Sequence, residues 1–168
     1  MTTASPYGII KMKIREGETK MKAIYFDMDG TIADLYGRDG WLDDLMHEYT
    51  RPYREAKPLV DMRTLGRELN RLKEAGYIVG VVSWLAKGAT EDYNRRVAKA
   101  KREWLAKHIG AVEWNEIHIV PYGTPKYTVV TDPTGILFDD EKPNRLAWDV
   151  EGWAFDTDHI IEVLKAIV

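Results

Sequence analysis

Residues Ala23–Thr31 read AIYFDMDGT, and the predicted architecture is built around this segment. Ala23–Phe26 is a short apolar run, the pattern of a strand that is buried on both faces of a sheet. Two carboxylates, Asp27 and Asp29, follow at once, and Gly30 allows a sharp turn directly after them. Alternate residues of a strand point the same way, about 6.6 Å apart, so both acids would face one site if the strand persisted. An isolated Asp-Gly pair is common turn chemistry, but the complete run DMDGT is far rarer.

Composition limits the classes of function. The chain has 168 residues, 24 Lys and Arg against 27 Asp and Glu, and a net charge of -3, so it has no excess of positive charge typical of a general nucleic-acid binder. It has no cysteine, which excludes disulfides, thiolate metal sites and a Cys nucleophile. The four histidines do not form a zinc-binding spacing. No apolar run is long enough to cross a bilayer, so we expect a cytoplasmic protein without a membrane partner.

Short apolar runs alternate with helical patterns after the first strand. Gly76 stands where the cap at the end of one helix belongs, and Asp158 is the predicted cap at the start of the last helix. This alternation predicts a layered α/β fold with a parallel sheet. The predicted later strands are 77–82, 116–120, 135–138 and 153–155, and the predicted helices are 41–50, 59–75, 89–108 and 158–168.

The first twenty residues allow two interpretations. Ile10, Met12 and Ile14 alternate with basic residues, as in a half-buried strand. Residues 1–20 are therefore either an extra edge strand or a leader ahead of the catalytic domain, which we expect to span 21–168.

Polar side chains collect at the carboxyl ends of the predicted strands, where parallel α/β sheets bind ligands. Several carboxylates at one edge repel each other unless a hard cation lies among them, and Mg²⁺ takes oxygen ligands together with substrate phosphate. An Asp can also attack phosphorus, while a second carboxyl group transfers the proton. The residues at these ends are Asp27, Asp29, Ser83, Asp139 and Asp140, with Lys126 in the loop after another strand.

The order of these groups resembles the haloacid dehalogenase-like phosphohydrolases. Asp27–Thr31 matches the first motif of that superfamily, DxDGT. Val81–Ser83 matches the second, an apolar strand that ends in Ser or Thr, and Lys126 matches the third. Ile136–Asp140 matches the fourth, an apolar strand that ends in paired acids, although such a pair could also be a simple strand-to-turn junction. The resemblance implies a Rossmann-like, doubly wound parallel sheet with helices on both faces and a small or absent cap.

The resemblance also implies a role for each acid. Asp27 would attack phosphorus and ligate Mg²⁺. Asp29 would be the general acid and base and would offer its backbone carbonyl to the metal. Asp140 would be a direct metal ligand, and Asp139 would act through water or from behind the ligands. An aspartate at position 29 marks the phosphatases of this superfamily, so the resemblance favours phosphate-ester hydrolysis over carbon–halogen cleavage.

Three further residues would bind the phosphoryl group by the same resemblance. Ser83 and Lys126 would hold its oxygens, and Lys126 would also neutralise Asp27. Backbone N–H groups near Gly30 would help to hold the phosphoryl oxygens.

The substrate is less strongly indicated. In this superfamily inserted caps set specificity, and here the first insertion, at about 35–58, is short. Its aromatic residues resemble those of the 5′(3′)-deoxyribonucleotidases. This resemblance implies that Trp41 or Tyr53 of this chain would stack on a base. The favoured partner is therefore a small phosphorylated substrate such as a nucleotide. His47 and Tyr49 are further candidates to line the entrance, or all four side chains pack beneath a loop.

Two other functions stay open from the sequence. One is a phosphatase of nucleic-acid 3′ ends, which would use the basic residues of helix 89–108, although acids among them favour an ordinary solvated face. The other is a non-catalytic phospho-acceptor similar to response-regulator receivers, whose metal acids precede the acceptor in the chain, an arrangement without a clear match here. The basic residues are Arg95, Arg96, Lys99, Lys101, Arg102 and Lys107.

Overall fold

The computed structural model describes residues 22–150 and 152–167. The predicted leader or edge strand at 1–20 lies outside them. In chain order the strands are β1 (Ala23–Phe26), β2 (Ala33–Asp34), β3 (Lys57–Pro58), β4 (Ile78–Trp84), β5 (Glu116–Val120), β6 (Ile136–Phe138) and β7 (Trp153–Phe155). The helices are α1 (Trp41–Met46), α2 (Arg51–Glu55), α3 (Met62–Glu74), α4 (Glu91–Ile109), α5 (Lys142–Trp148) and α6 (Ile160–Ala166). Short 3-10 turns lie at Lys126–Thr128 and Thr157–His159.

Five of these strands form one parallel sheet in the order β5-β4-β1-β6-β7. From the central strand β1 the sheet extends through β4 and β5 on one side, and the chain then crosses to the other side of β1 for β6 and β7. This is a doubly wound sheet, and it confirms the predicted α/β fold class. Ligands bind such sheets at the carboxyl edge where the strand order reverses, which here lies beside β1 and β6.

The central strand explains why the sheet is covered on both sides. Ile24 and Phe26 face a core that includes residues of α3, α4 and α6. Ala23 and Tyr25 face the other layer, where they pack with Trp148 of α5. All four residues of β1 are fully buried. Because successive side chains of a strand point to opposite faces, an uninterrupted apolar run is what this central position requires.

The excursion between β1 and α3 is small. β2 and β3 pair antiparallel, Ala33 with Pro58, and close the base of a loop that carries α1 and α2. The predicted helix 41–50 is shorter than expected and ends at Met46. No helix among residues 22–150 and 152–167 has the length and apolar character needed to span a membrane.

The local predictions differ from the structure at two helix starts. Asp158 was predicted to cap the last helix, but it lies within the 3-10 turn Thr157–His159, and α6 begins after His159. The side chain of Asp156 caps that turn and accepts a hydrogen bond, 2.8 Å long, from the backbone N–H of Thr157. The helix α5 was not predicted, because three acids, Asp139–Glu141, closely precede Pro143 and such a run has the composition of a turn. Proline is nevertheless well tolerated in the first turn of a helix, where its missing N–H would have no partner within the helix. Gly76 has φ +90°, as expected beyond a helix end.

Candidate active site

A tight turn directly after β1 positions the first two acids. The carbonyl oxygen of Met28 accepts hydrogen bonds from the N–H groups of Thr31, Ile32 and Ala33, with lengths of 2.9–3.1 Å. This turn buries the Met28 side chain in the core. Asp27 and Asp29 point the other way and line one pocket. The strand itself ends at Phe26, so the turn rather than a longer strand brings both carboxylates to one site.

Gly30 makes room for an acid from β6. Its φ is +78°, and a Cβ atom there would lie 2.8 Å from Cγ of Asp140. Its N–H donates to the carbonyl oxygen of Ala33 at 2.9 Å. The contribution of Gly30 is therefore conformation and space, and its own N–H is already engaged rather than free for a phosphoryl oxygen.

Thr31 fixes Asp140 from the same turn. The backbone N–H of Asp140 donates to Oγ1 of Thr31 at 3.2 Å, and that hydroxyl lies 3.3 Å from Oδ1 of Asp140. Thr31 is fully buried, so this contact ties the loop after β6 to the loop after β1. Each residue of the Asp29–Thr31 run thus has a structural role. Asp29 supplies an acid, Gly30 leaves space for Asp140, and the hydroxyl of Thr31 holds Asp140 in place.

Three carboxylates meet at this edge of the sheet. One oxygen each of Asp27, Asp139 and Asp140 lies within 4.8 Å of the others. Burial, followed by repulsion from Asp27, raises the pKa of Asp140 to about 7 and that of Asp139 to about 6. Crowded hard oxygen donors with raised pKa values fit a divalent cation such as Mg²⁺, which would relieve their repulsion. The cluster can therefore hold a metal ion, as predicted from the sequence.

Asp139 differs from the other two acids because its oxygens are already used. It is fully buried and accepts hydrogen bonds from Lys126 Nζ at 2.6 Å, from the Glu141 N–H at 2.9 Å and from Asn144 Nδ2 at 3.1 Å. Asn144 comes from α5, the helix that sequence reasoning missed. These contacts suit a carboxylate that orients neighbouring groups of the site and does not itself bind the metal directly.

Lys126 joins two of the acids. Its Nζ lies 2.9 Å from Oδ1 of Asp27 and 2.6 Å from Oδ2 of Asp139, and it is 5.2 Å from the ring centre of Trp84. Burial opposes its charge, but attraction to Asp27 and Asp139 outweighs this and raises the pKa of Lys126. An ammonium has three hydrogens, so two carboxylate contacts leave one for another oxygen in the pocket that Lys126 lines.

A second buried lysine reaches the site from α4. Lys101 is 1 % exposed, and its Nζ donates to Oδ2 of Asp29 at 2.7 Å, to Oγ of Ser83 at 2.8 Å and to the carbonyl oxygen of Trp84 at 2.7 Å. Burial is the largest influence on Asp29 and raises the pKa of its carboxyl group, against the opposing effect of Lys101.

The prediction of a solvated basic face on this helix was wrong for Lys101. It holds for Arg95, Arg96 and Lys99, which pair with acids on the same helix. A signal was present in the sequence, because Lys101 follows the buried Val97 by four positions and therefore lies on the apolar side of the helix.

Ser83 is placed differently from the prediction. It lies in β4 and is fully buried, and its hydroxyl accepts the hydrogen bond from Lys101. It is not among the residues that line the pocket with Asp27 and Lys126. The structure therefore gives the Ser83 oxygen a partner within the protein, and the predicted contact of its hydroxyl with a phosphoryl oxygen stays a prediction.

The pocket above the acids has aromatic walls and a volume of about 220 Å³. Trp41 packs against Tyr36 with the ring centres 5.1 Å apart, and Trp84 packs against Tyr122 with the ring centres 4.8 Å apart. Tyr53 also lines the pocket but is only 5 % exposed, so most of its ring packs against the protein. The predicted entrance residues His47 and Tyr49 stack on each other and do not line this pocket. Its aromatic residues are Tyr36, Trp41, Tyr53, Trp84 and Tyr122.

The site contains more acidic than basic side chains. Two ammonium groups, Lys101 and Lys126, contact three of the four aspartates, and Asp140 has no basic partner among the ion pairs of the described residues. With all four carboxylates ionised, two negative charges remain uncompensated. A divalent cation carries the charge that balances them.

Comparison with solved structures finds bacterial phosphatases. D,D-heptose 1,7-bisphosphate phosphatase from Burkholderia thailandensis is 17% identical over 79% of this chain and 74% of that one, with a TM-score of 0.49. The B. bronchiseptica protein of the same name, complexed with magnesium and phosphate, is 18% identical over 80% and 78%, with a TM-score of 0.47. 3-Deoxy-D-manno-octulosonate 8-phosphate phosphatase from Moraxella catarrhalis, complexed with magnesium, phosphate and KDO, is 15% identical over 94% and 91%, with a TM-score of 0.43.

All three similar structures are named as phosphatases, and none of the three is named as a nucleotidase. No protein-family model and no curated protein matches the chain. The likeness is too distant to assign an activity, so we infer the function from the site itself.

Proposed function

We propose that this chain is a Mg²⁺-dependent phosphomonoester hydrolase that forms an aspartyl-phosphate on Asp27. One observation carries the proposal: Asp27 lies at the point where a metal-type carboxylate cluster, a buried lysine and an open pocket meet. Asp29 lines the same pocket, two residues further on. Phosphoryl transfer requires a nucleophile, a proton carrier and positive charge in one cavity. Asp27, Asp29 and Lys126 would supply them here.

In the first step a carboxylate oxygen of Asp27 attacks the phosphorus of the ester. The bond from phosphorus to the leaving oxygen breaks, and protonated Asp29 gives its proton to that oxygen, so an alcohol departs. The remaining hydrogen of Lys126 binds an oxygen of the transferred group, while its contact with Oδ1 of Asp27 fixes the nucleophile.

In the second step the intermediate is hydrolysed. Asp29 now takes a proton from a water molecule, whose oxygen attacks phosphorus. The bond between phosphorus and Asp27 breaks, inorganic phosphate leaves, and Asp29 is protonated again for the next cycle. One residue thus serves as acid and then as base, which suits a carboxyl group whose pKa burial raises.

Asp27 and Asp140 would hold the magnesium ion, with Asp139 behind them and the backbone carbonyl of Asp29 as the further expected ligand. The ion would supply positive charge beside the phosphoryl oxygens. Asp139 contacts Lys126 and the α5 helix, so its proposed role is to orient the site.

The pocket favours a small phosphomonoester that carries a planar ring, such as a nucleotide. Trp41 and the Trp84–Tyr122 pair all line the pocket, so a ring attached to the phosphate could stack on either. The alternative of a nucleic-acid 3′ end draws less support, because Arg95, Arg96 and Lys99 already pair with acids of α4.

The test is hydrolysis of 4-nitrophenyl phosphate by the purified chain with and without Mg²⁺. We expect activity that EDTA removes and Mg²⁺ restores, and that Asp27→Asn abolishes. Asp43→Asn is the matched control, because that carboxylate is 77% exposed and should keep the wild-type rate. Full activity of Asp27→Asn, or activity that is unchanged by EDTA, would contradict the proposal. Acid quenching with ³²P-labelled substrate tests the intermediate, whose rapid turnover would also separate a phosphatase from a receiver-like domain.

A further inference from the structure

Lys101 is a buried cation that takes no direct part in the proposed phosphoryl transfer. It comes from the middle of α4, a helix that otherwise contributes apolar residues to the core at this depth, such as Val97 and Trp104. Burial of an ammonium is strongly unfavourable unless every hydrogen finds a partner. An apolar side chain would satisfy the packing, so the charge requires a separate explanation.

The three hydrogens of the ammonium group are all used. They are donated to Oδ2 of Asp29, Oγ of Ser83 and the carbonyl oxygen of Trp84, with lengths of 2.7–2.8 Å. None is left for a phosphoryl oxygen. Lys101 therefore acts on the site through the groups that it contacts, in contrast with Lys126, whose third hydrogen is available.

These contacts join two strand ends. Asp29 follows β1, and Ser83 and Trp84 form the end of β4, so Lys101 ties the acid to a neighbouring strand of the sheet. Asp29 is bound through one oxygen, Oδ2; its Oδ1 accepts no hydrogen bond from the residues that the structure describes. The side chain of Asp29 is 17% exposed and lines the pocket. One oxygen is anchored, and the other remains without such an anchor on a side chain that lines the pocket.

We propose that Lys101 is a positioning residue that holds the Asp29 carboxyl group by one oxygen so that the other meets the leaving group. The inference rests on the proposed function, because it assigns a partner to the proton carrier of that reaction. The proposal predicts that replacing Lys101 lowers kcat/KM only when Asp29 is present. It also predicts that this loss in kcat/KM is larger for esters whose leaving group depends more on protonation.

The experiment is a double-mutant cycle with Lys101→Met and Asp29→Asn. We would measure kcat/KM for two esters, 4-nitrophenyl phosphate, whose leaving group needs little protonation, and propyl phosphate, whose leaving group needs it fully. In the wild-type background Lys101→Met should lower kcat/KM for propyl phosphate at least about 30-fold and for the nitrophenyl ester about 3-fold or less. In the Asp29→Asn background the same substitution should change either value by less than about 3-fold.

Lys99→Met is the matched control, because that lysine is on the same helix with its side chain 77% exposed, and it should leave both rates unchanged. Lys101→Gln keeps a donor for Asp29 without the charge and should recover part of the loss on propyl phosphate. If Lys101→Met does not fold, Lys101→Gln takes its place in the cycle: a loss on propyl phosphate that exceeds the nitrophenyl loss and disappears in Asp29→Asn supports the proposal.

Equal losses on both esters, or the same loss with and without Asp29, would overturn the positioning role and leave only a packing role. That result is distinct from failure of the proposed function. If Asp27→Asn abolishes activity while Lys101→Met leaves the ratio between the two esters unchanged, the hydrolase stands and only the role of Lys101 falls. If wild type hydrolyses neither ester, the proposed function itself fails.

Discussion

Gly30 lies directly against Asp140, and a Cβ atom on that glycine would stand 2.8 Å from Cγ of the acid. The two residues are far apart in the chain, yet the absence of a side chain at one sets the position of the other. The contact explains why a glycine must follow the second acid of the turn. It also connects the loop that carries the proposed nucleophile to the proposed metal ligand.

Gly30→Ala should therefore damage the site as well as the fold. With φ +78° the new side chain would be strained, at roughly 1–3 kcal/mol, and it would displace Asp140. A displacement of about 1 Å can lower a rate about 100-fold. We expect a loss of that order in kcat and weaker Mg²⁺ binding, measured by titration of activity with the metal.

Gly76→Ala provides the control for this substitution. Gly76 has φ +90° with nothing within 4 Å of a Cβ atom, so alanine there should lower the unfolding free energy and leave kcat and the Mg²⁺ requirement unchanged. Equal loss of activity in both variants would mean that Gly30 matters only for stability.

Lys126→Met should be among the most harmful substitutions in the chain. It removes the cation shared by Asp27 and Asp139 and leaves two buried carboxylates facing each other. Breaking such a buried pair from one side destabilises a protein by about 3–5 kcal/mol. We expect a fall of that size in the unfolding free energy, measured by urea denaturation without metal, together with a loss of at least about 100-fold in kcat.

Added Mg²⁺ should raise the melting temperature of Lys126→Met more than that of wild type, because the ion would replace part of the missing charge. Lys99→Met, at a side chain that is 77% exposed, should stay within about 0.5 kcal/mol of wild type. An unchanged response of Lys126→Met to Mg²⁺ would contradict a metal site beside Asp27.

The pKa of Asp140, raised to about 7, predicts how stability depends on pH. An ordinary aspartate loses its proton near pH 4, so between about pH 4 and 7 the native state holds a proton that the unfolded chain has released. The metal-free protein should therefore lose stability as pH rises through this window. Mg²⁺ must displace that proton, so the increase in melting temperature on adding Mg²⁺ should be small at about pH 5.5 and largest near pH 8.

Asp140→Asn is the variant that tests this account. It removes the titrating group, so the metal-free protein should lose less stability between about pH 4 and 7, and the response to Mg²⁺ should be weak at every pH. A wild-type response to Mg²⁺ that is the same at about pH 5.5 and 8 would contradict the assignment.

Trp41→Ala tests the proposed ring-binding wall. Trp41 lines the pocket, and stacking of a base on an aromatic side chain contributes about 1–3 kcal/mol. We expect KM for a nucleoside monophosphate to rise about 10-fold while KM for ribose 5-phosphate, which has no ring system to stack, changes little. Tyr49→Ala removes an aromatic side chain that is 50% exposed and outside the pocket, and should affect neither value.

Local chemistry allowed much of the fold to be predicted from the sequence. The strands at Ala23–Phe26, Glu116–Val120 and Trp153–Phe155 have the predicted bounds, because each is an apolar or alternating run bounded by turn or polar residues. The helix α5 was missed because it starts at a strand end with acids and Pro143, a composition shared with turns. The spacing of apolar residues indicates a buried helix face only when the helix is long enough for that spacing to repeat. The α5 helix has only about two turns, so its pattern gives no clear signal.

Candidate residues for the site were also visible in the sequence, but their contacts were not. Asp27, Asp139 and Asp140 were expected to gather, and they do. Lys101 was counted as a surface charge, since its main partner, Asp29, lies 72 positions away. Ser83 was expected to face the substrate, and it faces that lysine instead.

The order of the apolar strands and the kinds of donor at their ends follow from the amino-acid sequence alone, because these depend on side-chain chemistry and its period along the chain. Which carboxylates share one cation site, and which lysine contacts which acid, depends on how the strands are arranged in space. The strand order β5-β4-β1-β6-β7 places the ends of β1, β4 and β6 side by side, and burial then requires each ammonium to find its partners among them.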